Sequence, residues 1–294
     1  MPHDIFTLLL STQALEIAPL HRPFWYTSGT IGPFYLNGHF LYGNRQKAEE
    51  LLAFIDQHRS DRRGLLLALQ ERVERNYAED AGYRAVIDGA VELAQAQIGS
   101  EKIDYVSGGE RRDWFFSLMV AHRLQKPALA FFKDQAAFSF SHSDWQEASN
   151  LAGAKILHVA DLVTEASSYV RAWQPAVQKR EGKLCWAINI VDRGQGGSEM
   201  LQQHGIAAFH LIQLGPPFFE RLKQTGYLDE PTTQMLIAYH REPRESMKRM
   251  LEEHPEILRE ALHSPDAKIR QRAEQLRQMN TYGFNADYWD RLKC

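Results

Sequence analysis

Residues 155–169 read KILHVADLVTEASSY, and the order of types suits a phosphorylated sugar. An apolar run (Ile156, Leu157, Val159) delivers Asp161. Thr164, Glu165, Ala166, Ser167 and Ser168 then turn into a helix-like pattern near Val170. Backbone N–H groups at such a turn can bind a phosphate, and a carboxylate at the strand end can hold ribose hydroxyls. Taken alone, the pattern leaves a second reading open, because an α/β strand that ends in Asp before an ordinary loop has the same appearance. A second candidate is Arg111-Arg112, just after the Gly108-Gly109 turn. Guanidinium groups there are either a phosphate-binding fork or a solvated pair at a helix start.

Other constellations carry less. The twelve histidines show no HExxH or zinc-finger spacing, and the loop Gly194-Gln195-Gly196-Gly197-Ser198-Glu199 lacks a GxGxxG or GKS pattern. No metal site is therefore expected. No GxSxG elbow is present, which leaves a nucleophilic Ser, His and Asp set open but unsupported.

The elements that must position these residues alternate. Strand-like runs fall at residues 103–106, 128–132, 156–159, 185–191 and 207–214, with helical patterns around 115–123, 168–178 and 198–204. Such alternation predicts an α/β fold with a parallel sheet covered by helices on both faces. Gly108, Asp161 and Asp192 would then lie at carboxyl ends of strands, where ligands bind in open α/β sheets. Residues 5–18 read as one amphipathic helix, and residues 45–98 as a helical insertion in the form of a hairpin or cap. After Pro216-Pro217 the chain becomes helix-rich and charge-dense, with Pro231, Pro243, Pro255 and Pro265 marking helix starts. The expected organisation is an α/β domain over 1–217 and a helical extension over 218–294, with the aromatic tail of Tyr282, Phe284, Tyr288 and Trp289 docked on the protein or a twin subunit.

Composition sets outer bounds. A chain of 294 residues, 44% of them hydrophobic, can bury a sizeable core. A net charge of −3 gives no case for a nucleic-acid or membrane surface. Cys185 and Cys294 form no disulfide framework, and no apolar run reaches the length of a membrane span, so a reducing, cytoplasmic address is expected.

Four segments, in order, resemble the type I phosphoribosyltransferases, in particular the orotate phosphoribosyltransferase branch. Residues 155–169 are similar to the motif that binds phosphoribosyl diphosphate (PRPP). Thr27-Ser28-Gly29-Thr30-Ile31-Gly32-Pro33-Phe34-Tyr35-Leu36-Asn37 is similar to the N-terminal element, Val106-Ser107-Gly108-Gly109-Glu110-Arg111-Arg112 to the strand and pyrophosphate loop, and Val191-Asp192-Arg193 to the Asp-Arg after the next strand. The resemblance spans roughly residues 20–215. It implies transfer of a phosphoribosyl group between PRPP and a nucleobase, an orotate-like pyrimidine first among them, with Mg²⁺ carried by the pyrophosphate, in a homodimer. Asp161 would hold ribose, residues 164–168 the 5′-phosphate, and Arg111, Arg112 and Lys133 the pyrophosphate, with Lys133 and Asp161 as the catalytic pair. Ser28, Gly29 and Phe34 would line the base side, and Arg193 would meet an anionic group on the base.

The departures from the pattern are specific. The first acidic position of the motif is Ala160, its loop glycine is Ala166, and Glu165 adds a carboxylate to the cradle. The N-terminal lysine is Thr27, and the mobile catalytic loop, expected between Phe131 and Asn150, keeps Lys133 and His142 but has Ala136-Ala137 where a second lysine belongs. These losses support an alternative: a catalytically decayed phosphoribosyltransferase fold that serves as a ligand-binding or regulatory module.

Overall fold

The structure, a computed structural model, describes residues 4–141 and 144–292. His142 and Cys294, both singled out in the sequence, lie outside the described residues. The chain forms two units. The first takes the chain up to Leu15 and again over Asn37–Leu214; the second takes Glu16–Leu36 and the chain from Gly215 on. This differs from the expected boundary at residue 217, since residues 16–36 belong with the C-terminal helices.

In the first unit, α1 (Ile5–Ser11) starts on the side chain of Asp4 and is shorter than the expected helix. Gln13 adopts a left-handed conformation that ends the helical path, and β1 (Leu15–Ile17) follows. The next strands, β2 (Phe24–Trp25), β3 (Ile31–Gly32) and β4 (Phe34–Leu36), are short. The chain re-enters the first unit through a 3₁₀ turn, Gly38–Tyr42. The expected insertion is three helices, α2 (Arg45–Gln57), α3 (Arg62–Glu79) and α4 (Ala81–Gln97). Asn44, Asp61 and Asp80 cap them through their side chains, each satisfying an N–H left open at a helix start. Far from being an appended cap, α3 and α4 bury Leu65, Leu66, Leu69, Tyr83, Val86, Ile87 and Ala90 in the core, and the Tyr83 hydroxyl donates to the Phe115 carbonyl.

The sheet then builds through β5 (Tyr105–Gly109), α5 (Trp114–Arg123), β6 (Ala128–Phe131), β7 (Ala137–Ser141), β8 (Asp144–Glu147), β9 (Lys155–Val163), a π-helical turn at Tyr169–Trp173 running into α6 (Gln174–Gln178), β10 (Lys183–Asp192), α7 (Gly197–Gln203) and β11 (Ala207–Gln213). Its order is β11-β10-β9-β5-β6-β7-β8. The first five strands are parallel, and β7 and β8 add an antiparallel hairpin at one edge. This hairpin occupies the place where a mobile catalytic loop was expected. Phe131 pairs with Ala137 and Leu129 with Ser139, and Trp145 is buried, so the segment is sheet. β9 is buried from Ile156 through Asp161, which explains its unbroken apolar reading, as parallel strands are covered on both faces. From β5 the chain proceeds to β6 on one side, whereas β9 leads to β10 and β11 on the other. The β5/β9 seam is therefore the topological switch point, where a crevice opens beyond the strand ends.

In the second unit, α8 (Pro216–Gln224), α9 (Glu230–Arg241), α10 (Pro243–Glu253), α11 (Pro255–Leu262), α12 (Ala267–Met279) and α13 (Ala286–Arg291) follow one another. Proline occupies the first turn of α8 to α11, where its missing N–H costs nothing. The aromatic tail packs within this unit: Phe284 stacks on Tyr288, and the Tyr282 hydroxyl accepts the Ile31 N–H at 3.1 Å.

Candidate phosphoribosyl-binding site

A cavity of about 360 Å³ opens at the switch point, lined by Glu110 to Asp113, Lys133, Ala160 to Tyr169 and Trp173. Two sequence segments more than forty residues apart thus meet with Lys133 around one space. The first is the loop after β5. Gly108 and Gly109 are required there by packing: a Cβ on Gly108 would clash with Ser117 and one on Gly109 with the Trp173 indole. The Glu110-Arg111 peptide is cis.

The second segment is the loop after β9. No backbone N–H among Thr164, Glu165, Ala166, Ser167 and Ser168 donates to a described protein atom, and neither do the hydroxyls of Thr164, Ser167 and Ser168. The Ala166 carbonyl accepts from Val170, which starts the helix. Unpaired backbone donors facing a cavity at a helix start form an anion cradle. Ala166 occupies the glycine position with φ of 57° and is buried, so the left-handed turn persists although alanine pays a conformational penalty for it. Glu165 is exposed. The cradle's other side rests on Gly197, where a Cβ would stand 2.6 Å from the Thr164 carbonyl oxygen.

Asp161 sits at the floor, 7% exposed. Burial, with Asp113 adding to it and Arg112 opposing, pushes its carboxyl up to about 7. Among the described residues its Oδ2 has no hydrogen-bond partner, and it faces His39 Nδ1, equally without one, at 3.8 Å. Burial, helped by Arg112 and Arg111, pushes His39 down to about 3. The contact is therefore between two groups that are largely uncharged near pH 6.5, too distant for a hydrogen bond. Gly38 permits this approach, since a Cβ there would lie 2.5 Å from the Asp161 carbonyl oxygen.

Asp113 is the residue that sequence reading missed. It stands where a helix cap would, yet its side chain caps nothing in α5. Its Oδ2 accepts the Gly109 N–H at 3.0 Å and meets His158 Nε2 at 3.3 Å, while Oδ1 lies 3.4 Å from the Asp161 N. His158 Nδ1 meets the Ser107 hydroxyl at 2.9 Å. A Ser, His and Asp set thus exists, but Ser107 and His158 are fully buried, so it ties β5 to β9 and offers no nucleophile. The only sequence signal for it was polarity inside two apolar strands.

The proposed anion binders differ in availability. Arg112 is exposed and, like the Lys133 ammonium, has no ion-pair partner among the described residues; both line the cavity. Arg111 lines it too, but is ion-paired with Asp56 of α2. Ala160 belongs to the apolar cluster with Phe131, Tyr169 and Trp173, which accounts for the absence of an acid there. Arg193 donates its N–H to the Val163 carbonyl and does not line the cavity. Of the residues expected on the base side, Ser28, Gly29 and Phe34 lie in the second unit, where Phe34 is buried against Phe219 and Tyr239. Gly29 is covered by Gln275, and Ser28 is exposed with its hydroxyl 2.8 Å from that of Thr30. Among the described residues, no cluster of three or more His, Cys, Asp or Glu could hold a metal ion, and no helix is long and apolar enough to cross a membrane.

No family model and no curated protein matches the sequence. Solved structures do. UMP synthase from Leishmania donovani aligns with a TM-score of 0.51 at 10% identity over 81% of this chain, which spans 42% of that protein's length. Orotate phosphoribosyltransferase from Francisella tularensis aligns with a TM-score of 0.50 at 15% identity, covering 80% of this chain and 96% of the other. With the seven-stranded sheet and the crevice at its switch point, these likenesses show that the chain has the type I phosphoribosyltransferase fold.

Proposed function

We propose that the protein is phosphoribosyltransferase-like and binds a phosphoribosyl group in the switch-point cavity, for transfer between PRPP and a nucleobase, an orotate-like pyrimidine first among the acceptors. The carrying observation is the set of five unpaired backbone N–H groups over residues 164–168, in one cavity with Asp161, Arg112 and Lys133. The cradle holds the 5′-phosphate, Asp161 meets the ribose hydroxyls, and Arg112 and Lys133 face the departing charge. Cations fixed at that position stabilise a leaving group most as its charge develops. Mg²⁺ carried by the pyrophosphate would neutralise part of that charge. A homodimer in the cytoplasm is the corresponding assembly and address.

A second reading, binding without turnover, is favoured by the pairing of Arg111 with Asp56 and by the paired β7–β8 hairpin in place of a lid. Calorimetric titration with PRPP and Mg²⁺, and with orotidine 5′-monophosphate, tests the shared part of both readings. Micromolar binding is expected, and a pyrophosphate-release screen across bases then separates them. If neither ligand binds, the cavity is not a phosphoribosyl site.

A further inference from the structure

The two ends of the cavity are not equally prepared for anions. At the cradle end, five N–H groups and three hydroxyls are open. At the other end the groups are already engaged with one another. Arg111 pairs with Asp56; Asp56 also accepts from Arg59 Nη2 at 3.0 Å, and the same nitrogen lies 2.8 Å from Glu110 Oε1. Glu110 Oε2 in turn accepts the Lys133 N–H at 3.0 Å. This chain of contacts occupies one guanidinium and one backbone donor that would otherwise face a diphosphate, and it places the Glu110 carboxylate, 6% exposed, beside them. Counting the lining, the cations Arg111, Arg112 and Lys133 stand against the carboxyl groups of Glu110, Asp113 and Glu165, with Asp161 largely uncharged near pH 6.5. Such a lining suits one dianion at the cradle better than a diphosphate as well.

Resting on the phosphoribosyl reading, we propose that the resting site prefers a singly phosphorylated ribosyl ligand, of the nucleoside 5′-monophosphate class, over PRPP, and that Asp56 and Glu110 set this preference. Asp56 lies outside the cavity lining and its side chain is 44% exposed, so it acts on the ligand through Arg111. An exposed ion pair of this kind is weak, which makes the preference adjustable by single substitutions.

The test compares ribose 5-phosphate with PRPP plus Mg²⁺ by calorimetry, because the two share the phosphoribosyl half and differ in the diphosphate. The wild-type protein is expected to bind ribose 5-phosphate at least as tightly as PRPP. Asp56→Asn should raise PRPP affinity about fivefold while leaving ribose 5-phosphate within about twofold, the scale of one exposed ion pair. Glu110→Gln should shift the ratio in the same direction, and serves if Asp56→Asn lowers the melting temperature. PRPP binding more than tenfold tighter in the wild type, or a ratio unmoved by both substitutions, overturns the preference while leaving the phosphoribosyl reading intact. Absence of binding by both probes overturns the two together.

Discussion

The facing pair of Asp161 and His39 gives the unliganded protein a distinctive dependence of stability on pH. The Asp161 carboxyl rises from an ordinary 3.8 to about 7, and His39 falls from 6.5 to about 3. Between pH 4 and 6.5, roughly, the folded protein holds the proton on Asp161 that the unfolded chain has lost, so this group removes stability as pH rises through that window and up to 7. His39 does the opposite: the unfolded chain binds a proton that the folded protein refuses, so its contribution is lost as pH falls below 6.5. The two slopes cancel in the wild type, which should be nearly flat from about pH 4.5 to 6.5. Each appears when the other group is removed. His39→Gln should lose stability from pH 4.5 to 7.5, and Asp161→Asn should gain it from pH 4.5 to 6.5. Moving a carboxyl from 3.8 to about 7 corresponds to about 4 kcal/mol, and relaxation around a buried charge reduces this to about 2–4 kcal/mol. Urea denaturation of the three proteins at several pH values measures the slopes, which are separate from any uniform cost of the substitutions. Parallel profiles for all three would refute the argument, because burial would then not be setting the charge of either group.

Three further outcomes follow from the site. Arg112→Ala should weaken PRPP binding by at least tenfold in a titration, since a charge-assisted hydrogen bond to phosphate contributes about 1.5–3 kcal/mol. Asp113→Ala should lower the unfolding free energy by about 2–4 kcal/mol in urea, because the Gly109 N–H and His158 would both lose their acceptor. At Ala166, substitution by Gly trades left-handed strain against a more flexible unfolded chain and a lost methyl contact, so stability should stay within about 1 kcal/mol. Ala166→Val, β-branched at positive φ, should lose more than about 2 kcal/mol in the same denaturation assay.

Much of the parallel sheet was legible because buried strands announce themselves as apolar runs, and the turn over residues 164–168 was legible from small hydroxyl residues between a strand and a helix. The β7–β8 hairpin was not. Ala137, Phe138, Ser139 and Phe140 alternate as a strand should, but a family resemblance that placed a lid there outweighed the local pattern. Asp113 was hidden for another reason: an Asp before a helix reads as a cap, and only the fold turns its carboxylate back onto β5 and β9. Asp56 and Arg59 carry no signal beyond an i,i+3 charge pair on an exposed helix, and their link to Arg111 spans more than fifty residues. The same limit applies to Phe34, whose motif-like neighbours gave no hint of Phe219 and Tyr239.

The discontinuous second unit has a consequence for synthesis on the ribosome. Residues 16–36 emerge early, yet some of their partners come last: Arg272 adds to Tyr35 on the Trp25 carbonyl, and Tyr282 meets Ile31 across 251 positions of chain. Within the segment Trp25 lies opposite Ile31 between β2 and β3, whereas the ring partners of Phe34, Phe219 of α8 and Tyr239 of α9, are made much later. The nascent chain therefore carries this segment without its helix contacts until the helices of the second unit emerge, at ordinary rates of about 5–20 residues per second. A chain ending near residue 217 would leave Phe34 without Phe219 and Tyr239 and the Ile31 N–H without Tyr282, so early termination removes all of these contacts at once.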